Sequence, residues 1–298
     1  MTAGRPPLSI CVATTAGWPI IEPCLRAFLD DARRAGAEVL VTDGSGRPPP
    51  TDPAVTSVVT WVPIPGESVF QLVQANLARA TGEIVAITED HCTPRPGWVP
   101  AILRAHAEYP AAAAIGGAVE NGDPSDGLRW ASHMMTQGAH MAPLQNGPVD
   151  RITGEANVSF KRWAMTGVDE HPLGFLTLSL LRSLSARNEL IVNDDRIVVD
   201  HHESLDAAAT AVIHFDDGRT IAGFRRTAME RSDWLRLLTS PVLPLYRTFR
   251  VVRTAITRGH GATVMRALPW LLVLEYAHEV GEVAGYVLGP GRSPYGLR

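Results

Sequence analysis

The chain has 298 residues, 45% of them hydrophobic, and a formal net charge of −4 at pH 7. That length suits one large domain or a domain with an appendage, and the apolar content is enough for a full core, which excludes a disordered chain. The slight acidic balance gives no electrostatic reason to expect a whole-protein nucleic-acid binder.

The opening MTAGRPP carries no long apolar run, so no signal peptide is evident. LSICVAT, Leu8–Thr14, follows as a short apolar segment rich in strand formers and bounded by Thr15 and Gly17. Glu22–Ala35 has helical spacing, with Leu25, Phe28 and Leu29 on one face. Ala37–Gly46 reads as a second strand ending in an acidic, glycine-rich turn, and residues 47–56 as a proline-rich loop. Ser57–Pro63 is a third strand, Glu67–Ala80 a helix, and Gly82–Thr88 a fourth strand. Beyond it, Pro94 and Pro96 are expected to stop regular structure. The alternation predicts an α/β fold with a largely parallel sheet and helices packed on it. Cys11, Cys24 and Cys92 lack metal-site spacing and read as reduced thiols of a cytosolic protein.

Ligands of open α/β sheets sit beyond the carboxyl ends of the strands. Three polar clusters lie at such ends: Thr14-Thr15, Asp43-Gly44-Ser45 and Glu89-Asp90-His91. One pocket collecting all three predicts a ligand site, although acids and threonines also cap strands and start turns. In the third cluster a carboxylate stands beside an imidazole, a chemistry that suits a divalent ion. Oxygen ligands fit Mg2+ or Mn2+, and the imidazole tilts the choice to Mn2+. A bound diphosphate would supply further oxygens.

At these residues the sequence resembles the family 2 glycosyltransferases, which have the GT-A fold. The resemblance covers roughly residues 7–226. SICVAT looks like the first strand of the nucleotide-binding half, and AEVLVTDGSG resembles the segment whose aspartate, here Asp43, contacts the nucleotide base. TEDHCTPRPGW is similar to the metal-binding acidic segment, with Glu89 and His91 at its outer positions and Asp90 between. IGGAVEN resembles a later strand, and GEANVSFKR a segment near the sugar, where Asn157 would meet a hydroxyl. VVDHHES brings a late histidine, His201 in preference to His202, to the metal or the diphosphate. HFDDGRTIAGFRR holds Arg219, which either pairs with phosphate or is a surface arginine in the DDGR turn.

The resemblance implies a nucleotide-diphosphate sugar donor, with Thr14, Thr15, Asp43, Glu89, Asp90, Asn157 and Arg219 around it. The implied ion, Mn2+ or Mg2+, would lie on Asp90, His91 and His201. One departure stands out. Inverting members carry an acidic residue, the general base, before the helix that follows the acceptor loop, and here that place holds Phe175 and Leu176. Glu170, Asp169 and Glu155 are the nearest acids, in that order of preference. A catalytically silent scaffold is the alternative. A nucleotidyltransferase would need a basic, glycine-rich loop after the first strand, and a dinucleotide-binding dehydrogenase a GxGxxG; ATTAGWPI supplies neither.

The chain therefore divides into a GT-A-like domain, residues 1–226, and a helical appendage, residues 227–298. The appendage carries Arg231, Arg236, Arg247, Arg250, Arg253 and Arg258 among apolar residues. Its longest apolar run, Ala267–Leu274, is far below the ~20 residues of a membrane span. Arginine-rich amphipathic helices suit a membrane surface; packing on the domain or a homodimer contact are the alternatives. Members of the family it resembles that act on lipid-linked acceptors commonly carry similar basic and apolar tails, so the resemblance implies a lipid-linked or cell-envelope acceptor and a cytoplasmic protein at the inner face of a membrane.

Overall fold

The computed structural model describes residues 4–166, 171–203, 205–226 and 229–297. They form two compact units, one of Met1–Gly122 and His140–His202 (with Arg298), the other of Asp123–Ala139 and Glu203–Leu297.

The first unit opens with β1 (Leu8–Thr14), buried along its whole length, as expected of a strand covered on both faces. In α1 (Glu22–Ala35), Pro23 sits in the first turn and Gly36 closes the C-terminus at φ 63°, a conformation glycine adopts without steric cost. Cys24, Leu25, Phe28, Leu29 and Ala32 form its buried face. β2 (Glu38–Asp43) follows. The proline-rich loop then holds one helical turn, α2 (Pro53–Thr56), because Asp52 Oδ1 accepts from Ala54 N at 2.9 Å and Pro53 is preset for a first helical position. β3 (Val59–Pro63) comes next, then α3 (Val69–Arg79), started by a reciprocal Ser68–Gln71 capping box.

β4 (Ile84–Glu89) leads into β5 (Cys92–Pro94). Regular structure does stop at Pro94, as expected, but a short strand that the sequence did not show precedes it. β5 lies at the edge of the sheet, where a missing proline N–H is tolerated. After α4 (Trp98–Glu108) come β6 (Ala114–Asn121), the two-residue β7 (Gly147–Pro148), β8 (Val158–Lys161), α6 (Thr177–Ala186) and β9 (Ile191–His201); α5 (Gly127–Thr136), between β6 and β7, belongs to the second unit.

Among the described residues one sheet runs in the order β3-β2-β1-β4-β8-β6-β9-β5, with β7 also paired to β9. The pairs β1–β2, β2–β3, β1–β4 and β6–β9 are parallel, and β8 is antiparallel to both β4 and β6. Chain order reverses between β1 and β4, so the crevice beyond their carboxyl ends is the topological switch point. Along β6–β9 the register jumps: Gly117 pairs with Asp194, but Ala118 pairs with Val198.

The second unit is helical: α5, α7 (Ala207–Arg226), α8 (Arg231–Thr239), α9 (Leu243–Thr257) and α10 (Gly261–Leu288). Leu128, Ala131 and Met134 of α5 pack with Val264, Ala267, Leu271 and Leu274 of α10. The stretch Glu203–Arg226, grouped from sequence with the preceding domain, sits with the C-terminal helices, and Arg219 lies inside α7 instead of in a turn. Glycines explain this packing. A Cβ on Gly218 would strike the His278 carbonyl oxygen, one on Gly281 that of Phe215, and one on Gly285 that of Arg219. Only glycine lets the α7 and α10 backbones approach so closely.

Polarity in this unit is inverted. Glu275, Glu279 and Glu282 are 2%, 4% and 2% exposed. Arg247 reaches Glu279 Oε2 at 3.1 Å and also pairs with Glu282, while Arg225 holds Glu282 Oε1 at 2.9 Å. His278 Nδ1 lies 3.3 Å from Asp217 Oδ2. Burial raises the Glu282 carboxyl, but Arg247, His278 and Arg225 outweigh it and hold the group below its ordinary range. Glu275 has no such partner, and burial pushes it up to about 7 against the pull of His278 and Arg247. Among the described residues, no helix is long and apolar enough to cross a membrane.

Candidate functional site

Thr14 ends β1, and Glu89 ends β4 one strand over. Thr14 Oγ1 accepts from Gly17 N at 2.9 Å and Ala16 N at 3.2 Å, which turns the chain away from the strand, and donates to Asp90 Oδ2 at 2.6 Å. Asp90 is 6% exposed, and its Oδ1 lies 3.0 Å from His91 Nδ1. An ionised carboxylate can only accept, so His91 carries its proton on Nδ1 and presents the Nε2 lone pair. That Nε2 faces His201 Nε2 at 3.0 Å, and Glu89 Oε2 lies 3.5 Å from each.

His201 arrives from the other end of the sheet order. The antiparallel β5–β9 pair puts it opposite Cys92, and Arg95 clamps the neighbouring Asp200 with its NH2 2.7 Å from Oδ1. Side chains alternate along a strand, so the adjacent His202 is exposed while His201 is 8% exposed. Cys92 adds a buried thiol 3.8 Å from Glu89 Oε2, and Glu89, Cys92 and His201 form a cluster able to hold a metal ion. Burial pushes that thiol well above its usual range, so it is protonated. Burial likewise pushes the Glu89 carboxyl up to about 7; His91 pulls it down, while Glu155 and Asp90 add to the rise.

Three donor atoms separated by 3.0, 3.5 and 3.5 Å fit one coordination sphere. Neighbouring donors on an octahedral ion with bonds of about 2.1 Å stand about 3 Å apart. Two imidazoles and a carboxylate form a mixed nitrogen and oxygen set that suits Mn2+ better than Mg2+. Asp90, expected as a ligand, has one oxygen on Thr14 and the other beside His91 Nδ1, and the carboxylate oxygen that faces both imidazole Nε2 atoms is that of Glu89. Which of two adjacent acids turns inward depends on the β4–β5 turn and leaves no mark in composition.

The remaining predicted residues divide. Thr15 is half-buried at the end of β1. Asp43, 1% exposed at the end of β2, accepts from Ser45 N at 2.8 Å and from Trp61 Nε1 at 3.2 Å. Asn157 is spent on the fold. Its Nδ2 donates to Ala118 O and Ile197 O at 2.8 and 2.9 Å, and its Oδ1 accepts from Trp98 Nε1 at 2.8 Å. Both amide donors expected for a sugar hydroxyl are thus taken by main-chain carbonyls. Arg219 belongs to the second unit, where its Nε donates to Gly289 O at 3.1 Å.

Asp169 and Glu170 lie outside the described residues. Glu155 Oε1 accepts from Thr177 N at 2.8 Å, capping α6 from outside the helix, while its charge bears on Glu89. Phe175, in the expected place of the base, is 8% exposed, and its N–H donates to Phe70 O at 3.0 Å. Sequence reading missed the Thr14–Asp90–His91 chain of support and the Trp98–Asn157 bond, both of which join residues far apart in sequence.

Comparison with known proteins bears on the family and the fold. No curated protein sequence matches the chain. The mannosyltransferase PcManGT from Pyrobaculum calidifontis, solved with GDP-Man and Mn2+, is similar in structure at 17% identity, over 96% of this chain and 88% of that one, with a TM-score of 0.58. Glucosyl-3-phosphoglycerate synthase from Mycobacterium tuberculosis, solved with Mn2+, UDP and phosphoglyceric acid, aligns over 68% of this chain and 72% of that one, at 18% identity and a TM-score of 0.46. At such identities the first likeness shows a shared fold. The profile of glycosyl transferase family 2 matches residues 9–168, more than half of the chain. Family profile, switch-point site and fold agree: the chain belongs to glycosyl transferase family 2 and is a glycosyltransferase of the GT-A fold.

Proposed function

We propose that the protein transfers a sugar from a nucleotide-diphosphate donor to an acceptor hydroxyl with the help of a divalent ion, Mn2+ or, less well matched, Mg2+, on Glu89, His91 and His201. The observation that carries this reading is the triangle of two imidazole nitrogens and a carboxylate oxygen at the β1/β4 switch point. When bound, such an ion supplies positive charge against the diphosphate. Around it, Asp90 keeps the His91 Nε2 lone pair turned inward, and Thr14 fixes Asp90. Asp43 and Thr15 sit at the neighbouring strand ends where the nucleoside would enter.

In the reaction the acceptor oxygen forms a bond to the anomeric carbon. The bond from that carbon to the diphosphate breaks, and the electron pair leaves with the nucleoside diphosphate. A carboxylate takes the acceptor proton. Of the three candidate acids, Glu155 is the one among the described residues, and its charge bears on Glu89. Acceptors attached to lipid or to the cell envelope, met at the cytoplasmic face of a membrane, complete the proposal.

Calorimetry with UDP and GDP tests the reading. Binding is expected with Mn2+ and lost in EDTA, and equal affinity in both would remove the metal role. Metal-dependent binding without turnover, over a broad panel of donors and acceptors, would instead favour the silent scaffold.

A further inference from the structure

From Arg231 to Leu288 every acidic residue is buried: Asp233, Glu275, Glu279 and Glu282. Apart from Arg266, the large side chains that α10 turns outward are apolar, with Trp270, Val273, Val280 and Val287 at 37%, 51%, 58% and 60% exposure. These follow helical spacing and make a continuous strip. α9 turns out Leu245 and Phe249, at 50% and 64%, and α8 turns out Trp234 and Leu238, at 59% and 81%. The strip on α10 continues onto the α8–α9 corner, because Tyr276 OH donates to Pro241 O at 3.3 Å. The charged side chains exposed on α8 and α9 are the cations Arg231, Arg250 and Arg253. A helical unit built to face water turns its charges outward and its large apolar groups inward. This one keeps an apolar core between α5 and α10 but also turns large apolar groups outward, and its buried Glu279 and Glu282 are matched by Arg225 and Arg247 instead of by solvent.

We propose that the face formed by α8, α9 and α10 rests on an anionic lipid surface, with its aromatic and aliphatic side chains at the headgroup–acyl boundary and Arg231, Arg250 and Arg253 on lipid phosphates. Charge decides the occupant. An apolar face bordered by arginine, with the α8 N-cap Glu230 the exposed acid at its edge, complements an anionic sheet. A second copy of the same face would set arginine against arginine across a two-fold axis. Tryptophan and tyrosine among the exposed residues suit the interface, where one end of the ring is apolar and the other wet. Helices α8–α10 lie on the membrane and do not cross it. This inference does not depend on the transferase reading.

Flotation of the full chain on vesicles of equal parts phosphatidylcholine and phosphatidylglycerol is the test. The protein is expected to rise with these vesicles at low salt and to rise far less with phosphatidylcholine alone. Phe249→Glu and Val273→Glu should each lower the bound fraction about tenfold, whereas Trp163→Glu, an equally surface-directed change in the first unit, should leave it unchanged. Circular dichroism of each variant establishes that it is folded, and a nucleotide titration of each separates lipid binding from the donor site. Wild-type protein that stays at the bottom with both vesicle types overturns the proposal. So does a folded Val273→Glu that floats like wild type. Sedimentation showing a dimer that Val273→Glu splits, with no flotation, would assign the face to self-association instead.

Discussion

His201 and His202 are chemically the same side chain one residue apart, yet only His201 faces Glu89 and His91. His201→Ala is therefore expected to weaken Mn2+ binding by at least about tenfold, the scale on which even outer-shell changes act, while His202→Ala stays within about twofold. Calorimetry of the two variants checks this, and equal losses would show that the triangle is not the binding unit. Glu155 offers a second contrast. The Glu155→Gln amide oxygen can still accept from Thr177 N, so α6 keeps its cap, but the residue can no longer take a proton. Turnover should fall by roughly 10²–10⁴-fold with donor affinity unchanged. Full activity in this variant would pass the role to Glu170 or Asp169.

Asn157 shows an element-scale constraint. Its amide fills the place where β9 departs from the β6 register, and a Cβ on Gly117 would collide with both that amide and the Ile197 carbonyl. Asn157→Ala leaves two buried main-chain carbonyls and the Trp98 N–H unpartnered, a cost of about 2–4 kcal/mol. Chemical denaturation should show a lower midpoint with an unchanged slope; a loss below 1 kcal/mol would mean that water replaces the amide. Elements written in local chemistry were legible from sequence. β1 is an unbroken apolar run, and α1 has Pro23 and Gly36 at its two ends. β5 was hidden because its pairing lies with β9, more than 100 residues on, while its own proline, Pro94, argues against a strand. α7 was hidden because Asp216, Asp217 and Gly218 spell a turn locally; the glycine serves helix contact instead. In the site, the acid–imidazole chemistry was legible, but not which acid turns inward nor which residues support it.

On the scale of the whole molecule, the interior charge of the helical unit sets a pH dependence. The Glu275 carboxyl binds its proton more tightly folded, at about 7, than an unperturbed glutamate does at 4.5. Between those values the native state holds more protons than the unfolded one, so stability falls as pH rises through that window. Burial raises Glu279 in the same sense, whereas the arginines around Glu282 act in the opposite one. Glu275→Gln should remove the Glu275 part, on the order of 2–3 kcal/mol, and raise the melting temperature at pH 8 more than at pH 5. Parallel melting curves for wild type and variant at the two pH values would contradict this. The spacing of Glu275, Glu279 and Glu282 was visible in sequence; the direction they face was not, because the arginines that pair with Glu279 and Glu282 come from other helices.

The register jump on β9 also has an arithmetical consequence. Asp195, Arg196 and Ile197 are left over between the residues paired to Gly117 and to Ala118, and three is an odd number. Everything beyond them is therefore offset by one step in the up–down alternation of the strand. A one-residue deletion here that was taken up by sliding the end of β9 along β6 and β5, instead of within the three unpaired residues, would bring His202 to Glu89 in the place of His201. Two histidines in a row at the end of this strand mean that an indel of one residue could exchange one imidazole for the other instead of erasing it.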